Sequence, residues 1–134
     1  MDAVIYARME HYETTADARS ARVRICQRWA KQNRYHVARV FTDDRSFGSS
    51  LDRPGFTKMC EFVLERKHCD IIIAEHSQLL NKCRDCEMVA DFFDELGVRI
   101  YSVVDGVITP HRLLYPPMRQ NAHKRLLRSG EAST

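Results

Sequence analysis

Asp70-Ile71-Ile72-Ile73-Ala74 decides the fold. A continuous β-branched run of this kind suits a strand buried on both faces of a parallel sheet, because neither face needs polar side chains for water. Working outward, Ala3–Ala7 is a second short apolar run containing Val, Ile and Tyr, and reads as another buried strand. Tyr35–Phe41 alternates apolar with polar side chains and suits a less deeply buried strand. Val98–Val104 gives a fourth strand, after which Asp105-Gly106 turns the chain.

Helical periodicity fills the intervals. Ala18, Ala21, Ile25, Cys26, Trp29 and Ala30 keep helical spacing, while Arg19, Arg22, Arg24, Arg28 and Lys31 take the remaining face, the ordinary way to solvate a helix. That helix ends near Asn33. Pro54 can open a second helix, since its missing N–H costs nothing at a first turn, and Phe56, Met59, Cys60, Val63 and Leu64 mark its buried stripe. Cys83, Cys86, Val89, Ala90, Phe93 and Leu96 mark a third, stopped by Gly97. The alternation of strand and helix implies a parallel sheet flanked by helices with right-handed crossovers.

The chain has 134 residues, 44% hydrophobic and 29% charged, enough for one domain with a single core. Its net charge is +3, and residues 111–134 carry Arg112, Arg119, Lys124, Arg125 and Arg128 against Glu131, a net +4 that leaves −1 for the rest. A domain over 1–108 with a basic tail over 109–134 follows, and any long-range pull on nucleic acid is expected from the tail. No apolar run reaches the roughly 20 residues of a membrane span, and the start lacks a signal peptide's pattern, so a cytoplasmic protein with no membrane partner is expected. Five scattered cysteines do not make a disulfide framework. Cys83-Arg84-Asp85-Cys86 has the spacing of a metal or redox pair, but on a helix both thiols face the core and no second pair stands at a zinc-ribbon distance. No metal and no cofactor is expected.

Three blocks carry a resemblance. Tyr6-Ala7-Arg8-Met9-Glu10 resembles the Tyr-Ala-Arg-Val-Ser opening of the serine recombinases, the DNA resolvase, invertase and integrase family. Phe41-Thr42-Asp43, followed by Gly48-Ser49-Ser50-Leu51-Asp52-Arg53-Pro54-Gly55-Phe56, is similar to the family's second block, and Val98–Gly106 to the end of its catalytic domain. The resemblance covers about residues 3–106 in order and spacing. It implies a three-layer resolvase-like α/β fold with a mainly parallel sheet of four to five strands flanked by helices.

The resemblance also implies a catalytic inventory, which this chain keeps only in part. In the family a serine hydroxyl attacks a DNA phosphodiester within a cluster of arginines that neutralise the phosphate and stabilise the transferring group. The matching positions retain Arg8, Asp43 and Arg53. The nucleophile position holds Glu10, and Ser77-Gln78-Leu79-Leu80-Asn81 aligns with the family's Asp-Arg-Leu-Ser-Arg, so Gln78 and Asn81 stand where arginines are expected. An arginine brings a permanent charge and a fixed fork of donors, whereas an amide brings a dipole. Glu10 repels phosphate and can pair with Arg8 or Arg53 instead. A substitute nucleophile from Tyr12, Thr14, Thr15, Ser20 or Ser49 would need a base or a positive field to lower its hydroxyl pKa.

The family continues into a long dimerising helix and a separate DNA-binding domain, and with 28 residues after Gly106 both are expected to be missing. Three functions fit. The first is a stand-alone, catalytically inactive recombinase-like domain that binds and regulates in a DNA-related process, using the tail residues Arg112, Arg119, Lys124, Arg125 and Arg128 on DNA. The second is an active strand-transfer recombinase with an unusual nucleophile or partner-supplied groups. The third is a protein-binding module, for a second copy or another protein.

Overall fold

A computed structural model describes residues 1–9, 15, 17–44, 53–66, 68–75 and 86–108, with the backbone alone for 86–90 and 108. The elements in chain order are β1 (Asp2–Arg8), α1 (Asp17–Gln32), β2 (His36–Asp43), α2 (Pro54–Glu65), β3 (Cys69–Ile73), α3 (Cys86–Leu96), β4 (Ile100–Ser102) and β5 (Gly106–Ile108). They build one five-stranded sheet ordered β2-β1-β3-β4-β5. All neighbours are parallel except β4 and β5.

The β-branched run takes the middle of that sheet, and all five residues of β3 are buried. Residues alternate between the sheet's two faces. One face buries Val4, Tyr6, Phe41, Ile71, Ile73 and Ile100 beneath Phe56, Met59 and Val63 of α2 and Phe93 of α3. The other buries Ala3, Ile5 and Ile72 beneath Cys26 and Ala30 of α1. Three layers result. The fold expected from the sequence is present, with local corrections.

The fourth strand is shorter than the span 98–104. Only Ile100–Ser102 is in strand register with β3; Val103 and Val104 still donate to the Ile73 and Ala74 carbonyls at 2.9 and 3.0 Å while the chain turns through 103–105 into the antiparallel β5. Ser102 fixes the turn, its hydroxyl accepting the Asp105 N–H at 3.0 Å. The buried stripe of α2 is also rotated. Leu64 is 58% exposed. Phe62 packs instead, with its ring 5.7 Å from that of Phe41 and the guanidinium carbons of Arg39 and Arg66 at 5.3 and 4.5 Å from its centroid. An aromatic under two cations covers the flank of the sheet better than a leucine beyond it. On α1, Ile25 is likewise 44% exposed rather than inward.

Two of the helix-to-strand joints share one construction. After α1 the Tyr35 N–H donates to the Ala30 carbonyl at 2.8 Å and the Arg34 N–H to the Lys31 carbonyl at 3.3 Å. After α3 the Val98 N–H donates to the Phe93 carbonyl and the Gly97 N–H to the Asp94 carbonyl, both at 3.1 Å. Each is the paired closure that ends a helix on one left-handed residue. Those residues are Arg34, at φ 61°, and Gly97, at φ 65°.

Candidate active site at the strand ends

In open α/β sheets ligands bind beyond the carboxyl ends of the strands, where the strand order reverses. Here the chain goes from β1 outward to β2 and then back across to β3, so the reversal lies between β1 and β3. Arg8 and Asp43 end β1 and β2 and are register partners. Arg53 immediately precedes α2. All three polar side chains are buried, Arg8 at 0% exposure, Arg53 at 1% and Asp43 at 7%.

Asp43 is committed on every side. Its Oδ1 accepts the Gly55 N–H at 2.7 Å, and its Oδ2 accepts the Phe56 N–H at 2.9 Å and the Tyr6 hydroxyl at 2.7 Å. Gly55 and Phe56 lie in the first turn of α2, whose N–H groups have no partner within the helix. Arg53, at the cap position, makes no side-chain capping bond. A carboxylate from β2 therefore caps α2, with the helix dipole adding to the attraction. Gly55 permits the close approach, since a Cβ there would meet the Thr42 carbonyl inside van der Waals contact.

Tyr6 completes the group. Its ring meets Phe56 edge-on with centroids 5.7 Å apart. Burial, then the bond to Asp43 and its charge, hold the phenol well above its usual range, while Arg53 pulls the other way. It is a donor here and not an incipient nucleophile. Arg8 Nη1 donates to the Met9 carbonyl at 3.2 Å, and the Met9 N–H reaches the Asp43 carbonyl at 3.3 Å, so β1 and β2 are tied to their last residues.

A third guanidinium arrives from the other face. Arg22 Nη1 donates to the Arg8 carbonyl at 3.0 Å, and its Nη2 lies 3.9 Å from Glu75 Oε1, just beyond β3. Arg22 thus spans the ends of β1 and β3. Arg19 beside it pairs with Asp44 after β2. The sequence reading put both arginines on the solvated face of α1, and the structure corrects this. Ala18, Arg22, Cys26 and Ala30 form one row at four-residue spacing, and its first half overhangs the strand ends, where the partners are polar. That row was the available signal.

Of the residues matched by resemblance, the structure brings Arg8, Asp43 and Arg53 together around Tyr6. Glu10, Gln78 and Asn81 lie outside the described residues, as do Tyr12, Thr14, Ser49, Cys83 and the tail's Arg112, Arg119, Lys124, Arg125 and Arg128. Thr15 is exposed, and Ser20 is exposed on α1, whose inward row carries Arg22. Cys26, Cys60 and Cys69 are free thiols, and Cys26 and Cys60 are pushed up to about 12 and about 11, chiefly by burial. Among the described residues no helix is long and apolar enough to cross a membrane. Chemically the cluster is an anion-suited environment, two buried guanidiniums around one carboxylate already engaged by hydrogen bonds.

No curated protein sequence matches this chain. Among solved structures, the C-terminal catalytic domain of ISC1926 TnpA, an IS607-like serine recombinase, is 25% identical with a TM-score of 0.68, over 79% of this chain and 72% of that one. A resolvase family site-specific recombinase from Streptococcus pneumoniae aligns over 98% of this chain and 95% of its own at 16% identity, with a TM-score of 0.67. The N-terminal catalytic domain of TP901-1 integrase gives a TM-score of 0.66 at 17% identity, covering 77% of each chain. At those two identities the likeness is one of fold. The family model described as Resolvase, N terminal domain, matches residues 3–120, and with the strand order and the Tyr6–Arg8–Asp43–Arg53 cluster in place, the chain belongs to the resolvase N-terminal domain family of serine recombinases.

Proposed function

We propose that this chain binds DNA without cutting it and acts as an accessory or regulatory member of its family in DNA recombination. The observation that carries this reading is the state of Asp43. Its two oxygens take up the Tyr6 hydroxyl and the first-turn amides of α2, so the one acid among the matched residues serves the fold. Glu10 at the nucleophile position, with Gln78 and Asn81 at arginine positions, removes the hydroxyl and two permanent charges. Losing a single transition-state donor costs on the order of a hundred-fold in rate, and three groups differ here. Arg112, Arg119, Lys124, Arg125 and Arg128 supply the sequence-independent attraction to phosphate.

The test is incubation of the full chain with supercoiled plasmid, split between native and denaturing gels. The expected result is a mobility shift on the native gel, with no nicked product and no covalent adduct after denaturation. An adduct mapped by mass spectrometry to a serine, threonine or tyrosine would falsify the inactive reading. Absence of any shift would overturn the DNA reading.

A further inference from the structure

We infer that the outward face of α1 is a second nucleic-acid-backbone surface, formed by Arg24, Arg28 and Lys31 and separate from both the tail and the strand-end cluster; it rests on the DNA-binding reading and assigns part of the binding to the folded body. The inward row of α1 is accounted for by Arg22, Cys26 and Ala30. Arg24, Arg28 and Lys31 are all exposed, and their spacing of four and three puts them on one face over two turns. Among the described residues none of the three makes an ion pair, whereas Arg19 and Arg22 on the other side of the same helix both do. The sole acid of α1 is Asp17, in its first turn.

A helix face that needed only water would gain from mixed signs. Like charges three or four residues apart work against a helix. Lys31 sits in the last turn, where the macrodipole favours a cation, but Arg24 is mid-helix and has no such compensation. The body's net −1 does not cancel the stripe, because screening confines each charge to about 8 Å at physiological salt and the one acid of the helix, Asp17, lies two turns before Arg24. The stripe runs about 10 Å at 1.5 Å per residue, a length over which one DNA strand presents roughly three phosphates. Arginine's fork suits a phosphate, and three cations at that pitch match a regular polyanion better than scattered acids on a protein.

The test compares four full-length proteins by fluorescence anisotropy on a random-sequence 30-base-pair duplex across a salt series. They are wild type, Arg24→Gln/Arg28→Gln/Lys31→Gln, a tail variant with Ala at Arg112, Arg119, Lys124, Arg125 and Arg128, and the two sets combined. Glutamine keeps helix propensity, and circular dichroism and melting confirm folding in each. The tail variant is expected to bind still, with a log–log salt slope of about −2.7, and the helix variant to lose about 2.7 from the wild-type slope, at 0.9 per phosphate contact. A second helix variant, Arg24→Lys/Arg28→Lys, should retain binding. Wild-type affinity and slope in the glutamine variant would overturn the inference while leaving DNA binding intact. Loss of binding in wild type itself would overturn both readings. Exposed Ile25 beside the stripe calls for a parallel arm with anionic phospholipid vesicles, and binding to vesicles but not to duplex would assign the face to lipid and overturn the nucleic-acid inference.

Discussion

Asp43 Oδ1 lies 2.7 Å from the amide nitrogen of Gly55, so a side chain at the end of one strand caps a helix that begins later in the chain, at Pro54. The same carboxylate joins Tyr6 of the neighbouring strand at 2.7 Å, which makes it the point where β1, β2 and α2 are held together. Asp43→Asn offers one acceptor oxygen for three donors and leaves buried N–H groups unsatisfied. A loss of about 2–3 kcal/mol is expected, read from urea unfolding midpoints at unchanged slope.

Gly55 tests the same junction sterically. Gly55→Ala sets a methyl against the Thr42 carbonyl, which is backbone and cannot rotate away. The helix must lift from β2 instead. The expected cost is about 1–3 kcal/mol, and the double variant with Asp43→Asn should cost less than the sum, because both disturb one contact.

The sheet was legible in the sequence because its signals are local. Three consecutive isoleucines at 71–73 leave little choice but a strand buried on both faces, and Pro54 marks the start of α2 at its first turn. The strand-end cluster was legible only as a set of matched types. That Asp43 caps α2 depends on Gly55 and Phe56, twelve and thirteen residues later, arriving against it, which no periodicity encodes. Arg22 looked like surface because arginine usually is, and only the overhang of α1 beyond the apolar part of the sheet turns it inward. Leu64 was misplaced because the flank of the sheet is covered by Phe62 under two guanidiniums, one from β2 and one from the end of α2 itself.

Alkaline pH should weaken the fold through its buried acids. Cys26 and Cys60 rise from 9.0 to about 12 and about 11 on folding, so each contributes stability that is fully present below pH 9 and lost as pH climbs through the folded value. The sign follows from proton binding: above pH 9 the unfolded thiol has released its proton while the folded one keeps it. Melting temperatures measured from pH 8 to 11 should fall, and the slope in Cys26→Ala should be shallower than in wild type. Equal slopes would show that Cys26 does not titrate with unfolding.

Glu10 follows Met9, whose carbonyl and N–H are fixed by Arg8 and Asp43. If Glu10 stands in for phosphate among Arg8 and Arg53, Glu10→Ala should lower the melting midpoint, and inorganic phosphate should raise it more in the variant than in wild type. Phosphate at ten times its dissociation constant would return about 1.4 kcal/mol. Matching phosphate responses at fixed ionic strength would rule out the substitution.

The joint at Arg34 and the joint at Gly97 are one device built from different residues. Both close a helix with the same pair of backbone bonds, yet only the second uses the residue that enters left-handed space without a Cβ penalty. For a residue with a side chain that penalty is roughly 1–2 kcal/mol, comparable to a whole buried hydrogen bond. Arg34→Gly should therefore raise the melting point, offset in part by the freedom glycine adds to the unfolded chain. The passage from α1 to β2 thus holds a reserve of stability that lies in the backbone alone. It can be drawn on without touching the core, the strand ends or the outward face of α1, which makes position 34 the natural place to offset the losses that the other substitutions cause.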